Sequence, residues 1–238
     1  MGLSKNHLKL ITSLRQKKYR QKHKMFVVEG VKGVNEFLNS SFECYLLFSI
    51  DADFETKRDF HIISDEDLKK ASHLVTPNKV LAVFRIPEPS DIKSGLILAL
   101  DDINDPGNLG TIIRLCDWFG IDQLICSSQT VDCYNSKVVQ ASMGSLTRVS
   151  INYKDLTDYL SNTQLPVYIA DMNGKSVYQA KLPKHGILVM GNEANGISES
   201  VKELATAIIS IPRFGDLQKT ESLNVATATA IFLSEFRR

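Results

Sequence analysis

The sequence predicts an α/β protein with a mostly parallel sheet in its C-terminal part and a smaller α/β unit before it. Its short apolar runs lack polar–apolar alternation, which indicates strands covered on both faces. These runs alternate with segments of helical periodicity. The stretch PEPSDIKSG at Pro87–Gly95 is rich in turn-forming residues and separates the two parts. We therefore expect one domain at residues 1–90 and a second at residues 91–238.

The first part reads as a small α/β module. Ser64 precedes three consecutive acidic residues, which is typical of a helix N-terminus. The apolar runs MFVV, YLLFS and VLAVF have the character of buried strands. The expected strands are Met25–Val28, Tyr45–Ser49 and Val80–Phe84, and the expected helices are Val31–Leu38 and Asp65–Ser72.

The second part alternates strand and helix more clearly. The helix over Leu109–Phe119 buries apolar residues on one side, and Gly120 ends it. The expected strands are Leu96–Leu100, Asp122–Cys126, Val167–Ala170, Ile187–Met190 and Ala207–Ile211. The other expected helices are Ser136–Met143, Asp155–Ser161 and Leu223–Phe236.

Composition excludes several classes of protein. The chain has 238 residues, of which 43% are hydrophobic and 23% charged, as in an ordinary globular protein. No apolar run approaches the ~18 residues of a membrane span. The cationic N-terminus lacks an apolar core, so we expect no secretory signal. The four cysteines lack the spacing of metal ligands, which predicts reduced thiols, a cytoplasmic location and no metal.

Positive charge is concentrated at the N-terminus, although the net charge is only +1. The first 28 residues contain eight Lys and Arg residues and no acid. Such a segment attracts a polyanion such as nucleic acid. The alternative is a solvated amphipathic helix with Leu8, Ile11 and Leu14 facing inward. A mitochondrial presequence is disfavoured, because the segment is poor in Ser and richer in Lys than in Arg. The candidate RNA contacts are Lys17, Lys18, Arg20, Lys22 and Lys24.

Three polar, glycine-containing segments follow predicted strands. They are Asp105–Arg114 (DPGNLGTIIR), Gly191–Gly196 (GNEANG) and Ile211–Asn224 (IPRFGDLQKTESLN). Because parallel strands end at one edge of a sheet, these segments are expected to meet there and bind a ligand. Together they indicate an active site.

In the first segment, Pro106 and Gly107 form a turn and Asn108 occupies the position expected of a helix cap. Arg114 lies just over one turn into the helix, where its side chain can reach back over the strand ends. The structural alternative is that Asn108 only caps the helix and Arg114 only pairs with Asp117.

The other two segments carry similar alternatives. Gly191 and Gly196 permit a close approach of the backbone, while Glu193 supplies a carboxylate, unless the turn is simply polar and Glu193 lies in water. Ser222 and Asn224 lie at the start of the last helix and suit helix capping as well as ligand binding.

Two common nucleotide-binding motifs are missing from the sequence. It contains neither the dinucleotide fingerprint G-x-G-x-x-G nor the phosphate-binding loop G-x-x-x-x-G-K-[ST]. This counts against ordinary NAD enzymes and NTPases.

The three segments, in this order and spacing, resemble the signature motifs of the SpoU (TrmH-like) RNA ribose 2′-O-methyltransferases of the SPOUT class. The likeness covers residues 96–238 through D-P-x-N-x-G-x-x-x-R, G-N-E-x-x-G and I-P…E-S-L-N. The first 90 residues resemble a small ribosomal-protein-like RNA-binding domain, most clearly in FVVEG at Phe26–Gly30.

The resemblance implies a trefoil-knotted C-terminal domain, an exception to the rule that chains are unknotted. It implies S-adenosylmethionine as cofactor and structured RNA, ribosomal or transfer RNA, as substrate. It also implies a homodimer that packs through the knotted domains and shares its site between subunits, with Asp105–Phe119 and Leu223–Phe236 at or near the interface.

Residue roles follow from the same resemblance. The implied catalytic residues around the target ribose are Asn108, Arg114, Glu193, Ser222 and Asn224. The implied cofactor-binding residues are Met190, Gly191, Asn192, Gly196, Ile211, Pro212, Ser222 and Leu223.

Elementary chemistry limits what Arg114 can do. A guanidinium stays protonated, so Arg114 is better suited to holding a phosphate and stabilising developing alkoxide charge than to acting as a base. The proton acceptor is left open between water, a phosphate oxygen and Glu193.

The third segment departs from the family pattern. Arg213 replaces an apolar residue after the proline, and Asp216–Glu221 lengthens the loop by about three residues, which puts the adenine contacts in doubt. Two alternatives to the methyltransferase are a catalytically inactive knotted RNA-binding scaffold and a Rossmann-type enzyme, which lacks its fingerprint here.

Overall fold

The computed structural model describes residues 2–88, 95–215, 217 and 222–238. It divides into two compact units, one of Met1–Glu88 with Asp132–Thr147 and one of Pro89–Val131 with Arg148–Arg238. The predicted boundary between residues 90 and 91 lies outside the described residues. A later segment of the chain, Asp132–Thr147, therefore belongs to the first unit.

The basic N-terminal segment forms two short helices, α1 (Lys5–Ser13) and α2 (Lys17–His23). Ser4 caps α1 by accepting a hydrogen bond from the His7 amide at 3.1 Å. Ile11 and Leu14 are fully buried, so the apolar side of this segment faces the core as the amphipathic alternative predicts.

The first unit contains a four-stranded sheet in the order β1-β4-β2-β3. Strands β1 and β2 pair antiparallel with β4, and β3 pairs parallel with β2. The predicted strands and helices of this unit are confirmed, with small shifts at their ends. The elements are β1 (Met25–Glu29), α3 (Val31–Leu38), β2 (Cys44–Ser49), β3 (His61–Ile62), α4 (Asp65–Ala71) and β4 (Val80–Arg85).

Both faces of this sheet are covered. On one face the ring of Phe26 lies 5.5 Å from Phe37 and 4.7 Å from Tyr134, which comes from the later segment. On the other face Ile11 and Leu14 pack with residues of β1 and β4. The side chains of β1 point alternately to the two faces, which explains why its apolar run is unbroken.

A buried ion pair attaches the later segment to the first unit. Asp132 Oδ2 accepts hydrogen bonds from Arg20 Nε at 2.8 Å and from Arg20 Nη2 at 2.6 Å. Arg20 Nη1 donates to the carbonyls of Leu14 and Arg15. Arg20 is only 4% exposed. Its guanidinium is thus fully engaged within the unit, so we leave Arg20 out of the proposed RNA contacts.

The second unit contains a six-stranded sheet in the order β10-β8-β9-β5-β6-β7, in which every neighbouring pair is parallel. The predicted α/β class with a mostly parallel sheet is confirmed. Edge strand β7 was not predicted, because its residues SINYK alternate polar and apolar. The strands are β5 (Leu96–Asp101), β6 (Gln123–Ser127), β7 (Ser150–Lys154), β8 (Val167–Ser176), β9 (Gly186–Gly191) and β10 (Ala207–Ser210).

Helices cover this parallel sheet. A buried cluster joins Ile97, Ile125 and Val189 of the sheet to Leu160 and Val201 of covering helices. The last helix packs against the helix that follows β5, and Arg237 Nε donates to the Phe119 carbonyl at 2.7 Å. The helices are α5 (Pro106–Trp118), α6 (Ser136–Ala141, in the first unit), α7 (Leu156–Ser161), α8 (Glu199–Lys202) and α9 (Val225–Arg237). None of the helices within the described ranges is long and apolar enough to cross a membrane.

The pairing of β8 with β10 is interrupted in the middle of β8. Ile208 of β10 pairs with Ile169, but the next residue, Ile209, pairs with Lys175. The five residues Ala170–Gly174 therefore bulge away from the β8–β10 ladder. At Gly174 a Cβ atom would lie 2.6 Å from the Ile209 backbone, so the close return of the chain requires glycine.

His73 is held uncharged inside the first unit. Its Nε2 lies 2.8 Å from the Ile11 carbonyl, and burial lowers its pKa to about 4 from an ordinary value of 6.5. Its backbone amide donates to the Glu29 carboxylate at 2.7 Å, and burial raises the pKa of Glu29. The lowered pKa means that protonation of His73 favours the unfolded chain.

We expect His73 to lower the stability of the first unit as the pH falls from 7 to 5, whereas the raised pKa of Glu29 contributes in the opposite direction. The unfolded chain binds a proton at His73 below about pH 6.5, whereas the folded unit does so only near pH 4. This difference in pKa lowers the free energy of unfolding by about 2 kcal/mol at pH 5. His73→Gln keeps a side-chain N–H donor but cannot titrate. Between pH 7 and pH 5 the stability of this variant should therefore fall by about 2 kcal/mol less than that of the wild type. Hydrogen exchange of the β1 and β4 amides measures it, and equal losses in both proteins would contradict the assignment.

Candidate active site

Asn108 lies in the first turn of α5 but does not cap this helix. Asp105 is the cap, because its Oδ1 accepts a hydrogen bond from the Asn108 amide at 2.8 Å, and Pro106 occupies the first helical position. The expectation that Asn108 caps this helix is therefore wrong. Since the cap is already provided, the half-buried Asn108 side chain is free to bond elsewhere from the first turn.

Asn108, Glu193 and Asn224 form one hydrogen-bonded cluster, which we call the Asn–Glu–Asn cluster. Glu193 Oε1 accepts from Asn108 Nδ2 at 2.8 Å, from Asn224 Nδ2 at 3.0 Å and from the Val225 amide at 3.1 Å. Asn224 Nδ2 also donates to Asn108 Oδ1 at 2.9 Å. One carboxylate oxygen thus gathers donors from α5 and α9, which brings together one residue of each polar segment.

Asn224 acts in the cluster and as a helix cap at once. Its Oδ1 accepts hydrogen bonds from the amides of Ala226 and Thr227, both at 3.1 Å, at the start of α9. Its Nδ2 donates to Asn108 and Glu193 in the cluster. The capping and site interpretations are therefore compatible, because an amide side chain has an acceptor end and a donor end.

The turn after β9 is built by Asn192. Asn192 Oδ1 accepts from the amides of Ala194 and Asn195, and its Nδ2 donates to the Asp102 carbonyl at 2.6 Å. The backbones of Asn192 and Gly196 exchange two hydrogen bonds of 2.9 Å. These bonds close the turn and fix it to the end of β5, so the carboxylate of Glu193 is held at its tip.

A cavity of about 1090 Å³ opens beside this turn. Glu193 lies in its wall, which links the cavity to the Asn–Glu–Asn cluster. Every residue that the resemblance implies for cofactor binding lines it, namely Met190, Gly191, Asn192, Gly196, Ile211, Pro212, Ser222 and Leu223. Of the longer loop at Asp216–Glu221, all but Leu217 lies outside the described residues.

One wall of this cavity lies outside the three polar segments. Ala170–Asn173, from the bulge in β8, line it together with Lys202 of α8. Lys202 Nζ lies 3.6 Å from the Asp171 carboxylate and 2.9 Å from that of Glu199, and the Glu199 hydrogen bond raises the pKa of Lys202. The segment ADMNG follows an apolar strand, which is the same signal that identified the other three segments.

Arg114 takes no part in the hydrogen bonds of the cluster described above and is not among the residues that line the cavity. It is exposed on α5, six residues beyond Asn108, and makes no ion pair with any other described residue. Asp117, its alternative partner, binds Arg148 Nε at 2.9 Å instead. Ser222 is exposed and lies in the cavity wall.

The remaining basic candidates lie on or beside α2. Lys17, Lys18, Lys22 and Lys24 are exposed, and Lys18 Nζ lies 4.9 Å from the ring centroid of Tyr19. Across the part of the chain that the structure describes, no three His, Cys, Asp or Glu side chains cluster as metal ligands.

A family model described as the SpoU rRNA Methylase family matches residues 95–234. The chain belongs to this family. A second model, the MRM3-like substrate binding domain, matches residues 5–82. The SpoU model thus includes all three polar segments, and the second model covers most of the first unit.

Individual relatives agree with the SpoU assignment. The chain is 29% identical to the 23S rRNA (guanosine(2553)-2′-O)-methyltransferase RlmP of Bacillus subtilis, over 94% of this chain and 93% of that protein. A solved structure from Porphyromonas gingivalis, assigned to the TrmH family of RNA methyltransferases, is 40% identical, with a TM-score of 0.91 over 100% of this chain and 99% of that one. The AdoMet-bound rRNA methyltransferase from Sinorhizobium meliloti is 28% identical, with a TM-score of 0.87 over 100% and 96% of the two chains.

We expect Gly191→Ala to damage the cavity wall. A Cβ at residue 191 would lie 2.5 Å from the Gly196 backbone, so the turn must move, at a cost of about 1–3 kcal/mol. Gly215→Ala is the matched control, because it lies in the same wall but a Cβ there meets nothing within 4 Å. Urea denaturation followed by far-ultraviolet circular dichroism compares their free energies of unfolding. Equal stability of the two variants would show that the turn accommodates a side chain.

Proposed function

We propose that this chain transfers a methyl group from S-adenosylmethionine to a ribose 2′-hydroxyl of structured RNA, ribosomal or transfer RNA. The observation that carries the proposal is the Asn–Glu–Asn cluster at the wall of the cavity, since it joins one residue from each family motif. The relative RlmP is named for the same 2′-O reaction on 23S rRNA.

The cavity suits S-adenosylmethionine. Its volume of about 1090 Å³ accommodates a cofactor of this size, since ligand pockets usually measure about 300–1,000 Å³. Met190, Ile211 and Leu223 provide apolar walls for an adenine ring, and the Asp171 carboxylate suits hydroxyl or ammonium groups. When bound, the cofactor supplies an electrophilic methyl group on a sulfonium centre. The related methyltransferase from Sinorhizobium meliloti has been solved with AdoMet bound.

The Asn–Glu–Asn cluster would orient the ribose and assist loss of its proton. Glu193 Oε1 is occupied by three donors, whereas its Oε2 accepts none from the other described residues and stays available to a hydroxyl. Asn108 and Asn224 hold the carboxylate and do not react themselves. Water, a phosphate oxygen or Glu193 receives the proton, and assistance of this kind is typically worth about 10²–10⁴ in rate.

Arg114 would stabilise negative charge as the ribose oxygen is activated. A guanidinium remains protonated in proteins, so its role is to hold the adjacent phosphate and the developing alkoxide rather than to remove a proton. Its exposed position, outside the cluster of its own chain, favours a site completed by Arg114 of a second subunit. The proposal therefore includes a homodimer that packs through α5 and α9, with each site shared between two chains.

The proposal also includes the trefoil knot of the SPOUT class. In support, the start of α9 is joined to the turn after β9 by the hydrogen bond from the Val225 amide to Glu193, and α9 packs on α5.

The first unit would bind the RNA. The match to the MRM3-like substrate binding domain and the exposed Lys17, Lys18, Lys22 and Lys24 support this role. Contacts of lysine with phosphates give a salt-dependent affinity with little sequence preference. We place the enzyme in the cytoplasm, which suits four cysteines that form no disulfide, Cys44, Cys116, Cys126 and Cys133.

An inactive RNA-binding scaffold is disfavoured. Such a protein needs neither the three convergent donors on Glu193 nor a cavity lined by the family's cofactor-binding residues. A Rossmann-type enzyme is excluded by the family assignment.

We expect the wild-type protein to transfer labelled methyl from S-adenosylmethionine to RNA extracted from cells lacking it, and to produce a 2′-O-methylated nucleoside by mass spectrometry. Arg114→Ala should reduce transfer by at least ~100-fold, as for loss of a charge-stabilising group, with cofactor affinity unchanged. Cofactor and RNA binding without transfer to any RNA would favour the scaffold.

A mixture of two inactive variants tests whether the site is shared. Equal amounts of Arg114→Ala and Glu193→Gln subunits, unfolded and refolded together, should recover about a quarter of wild-type activity, because half of the dimers then contain one intact site. Each variant refolded alone is the control. No recovery from a mixture that forms mixed dimers would place Arg114 and Glu193 of one chain in the same site.

A further inference from the structure

The chain segments that follow β8 and β10 lie side by side and bring two aromatic rings together. Ser210 pairs with Ser176 in parallel register, so both strands run on past the same edge of the sheet. Tyr178 follows two residues later in a 3₁₀ turn, Val177–Gln179, and Phe214 follows four residues after Ser210. Their ring centroids are 6.5 Å apart, with 31° between the ring planes. We call these two rings the aromatic platform.

The aromatic platform is exposed at the cavity. Phe214 is 82% exposed and Tyr178 is 40% exposed. Phe214 lies in the cavity wall, as does its neighbour Arg213. Arg213 Nη2 lies 2.8 Å from the sulfur of Met172, which belongs to the bulge in β8. A large aromatic side chain left in water beside a ligand cavity is informative, because it adds nothing to the core.

The segment that carries Tyr178, between Asp171 and Glu193 of the cavity wall, is positively charged and suits a polyanionic partner. Residues 172–192 contain no Asp or Glu, and they include three lysines, at 175, 181 and 184. Lys175 and Lys181 are exposed on either side of Tyr178 in the sequence. Aromatic rings interleaved with cationic side chains are typical of surfaces that bind single-stranded nucleic acid.

We propose that the aromatic platform stacks an unpaired base of the substrate RNA beside the methylated ribose, while Arg213 and Lys175 face the adjoining phosphates. The inference rests on the proposed function. Sequence-specific recognition of RNA mostly uses unpaired bases that stack on aromatic side chains, and a ribose must leave a regular helix before its 2′-hydroxyl can enter a cavity. Arg213 and Phe214 also begin the loop that departs from the family pattern, so this contact belongs to this chain.

Three substitutions of Phe214 separate stacking from simple apolar contact. Phe214→Ala removes the ring, Phe214→Leu keeps apolar area without a π face, and Phe214→Trp keeps the ability to stack. With RNA from cells lacking the protein, the Ala and Leu variants should need ~5- to 100-fold more RNA for half-maximal transfer, since stacking on one aromatic ring is worth about 1–3 kcal/mol. The Trp variant should match the wild type. The RNA requirement should change far more than the dissociation constant for S-adenosylmethionine, and the oligomeric state should be the same in all four proteins.

Several outcomes would overturn the inference. Wild-type behaviour of Phe214→Leu would mean that the ring provides apolar contact only. A parallel loss of S-adenosylmethionine affinity would place Phe214 in the cofactor site, and a change of mass in solution would place it between two copies of the chain. If the wild type transfers no methyl group, the proposed function fails. Fluorescence anisotropy with a labelled single-stranded oligouridine then tests the platform alone, where equal affinity of the wild type and Phe214→Ala would refute it.

Discussion

The arrangement of the site depends on one carboxylate oxygen, Glu193 Oε1. It receives donors from residues 85 positions earlier and 31 positions later in the chain, so it joins the starts of α5 and α9 to the turn after β9. Each bond is exposed and would contribute little alone. Their convergence is possible because β5 and β9 are neighbouring parallel strands, with Asp101 opposite Gly191, so both strands end at the same edge. The parallel pairing of two buried strands therefore determines where the polar groups meet.

Several polar residues stabilise the fold and shape the site at once. Asn224 caps α9 with its oxygen and binds Glu193 with its nitrogen, and Asn192 closes its turn while attaching it to Asp102. The side chain of an asparagine has one acceptor and one donor group, so it can join two elements without carrying charge. Asn192 and Asn224 therefore belong both to the fold and to the candidate site. The same bonds that complete a helix or turn also hold the carboxylate in place.

Local sequence signals predicted the strands and the three polar segments well, because unbroken apolar runs and glycine-rich turns reflect short-range constraints. They failed where the outcome depended on distant partners. Asp105 and Asn108 are equally good cap residues by type, and only the position at which the helix starts decides between them. The bulge at Ala170–Gly174 follows from the pairing of β8 with Ile208 and Ile209 of β10. The sequence of β8 alone does not indicate this pairing. Likewise, the burial of Arg20 depends on Asp132, 112 residues away.

The return of Asp132–Thr147 to the first unit makes that unit discontinuous in the sequence. The matched methylase model runs through this segment, so a stretch counted with the catalytic domain completes the core of the substrate-binding one. An exchange of N-terminal domains between relatives at a single junction near residue 90 would strip Phe26 of its Tyr134 contact and leave Arg20 as a buried charge without its acid. Recombination that preserves both units must carry two separate pieces of the chain together. Replacement of the first unit therefore requires two pieces of the chain, whereas substitutions on its surface leave its core intact.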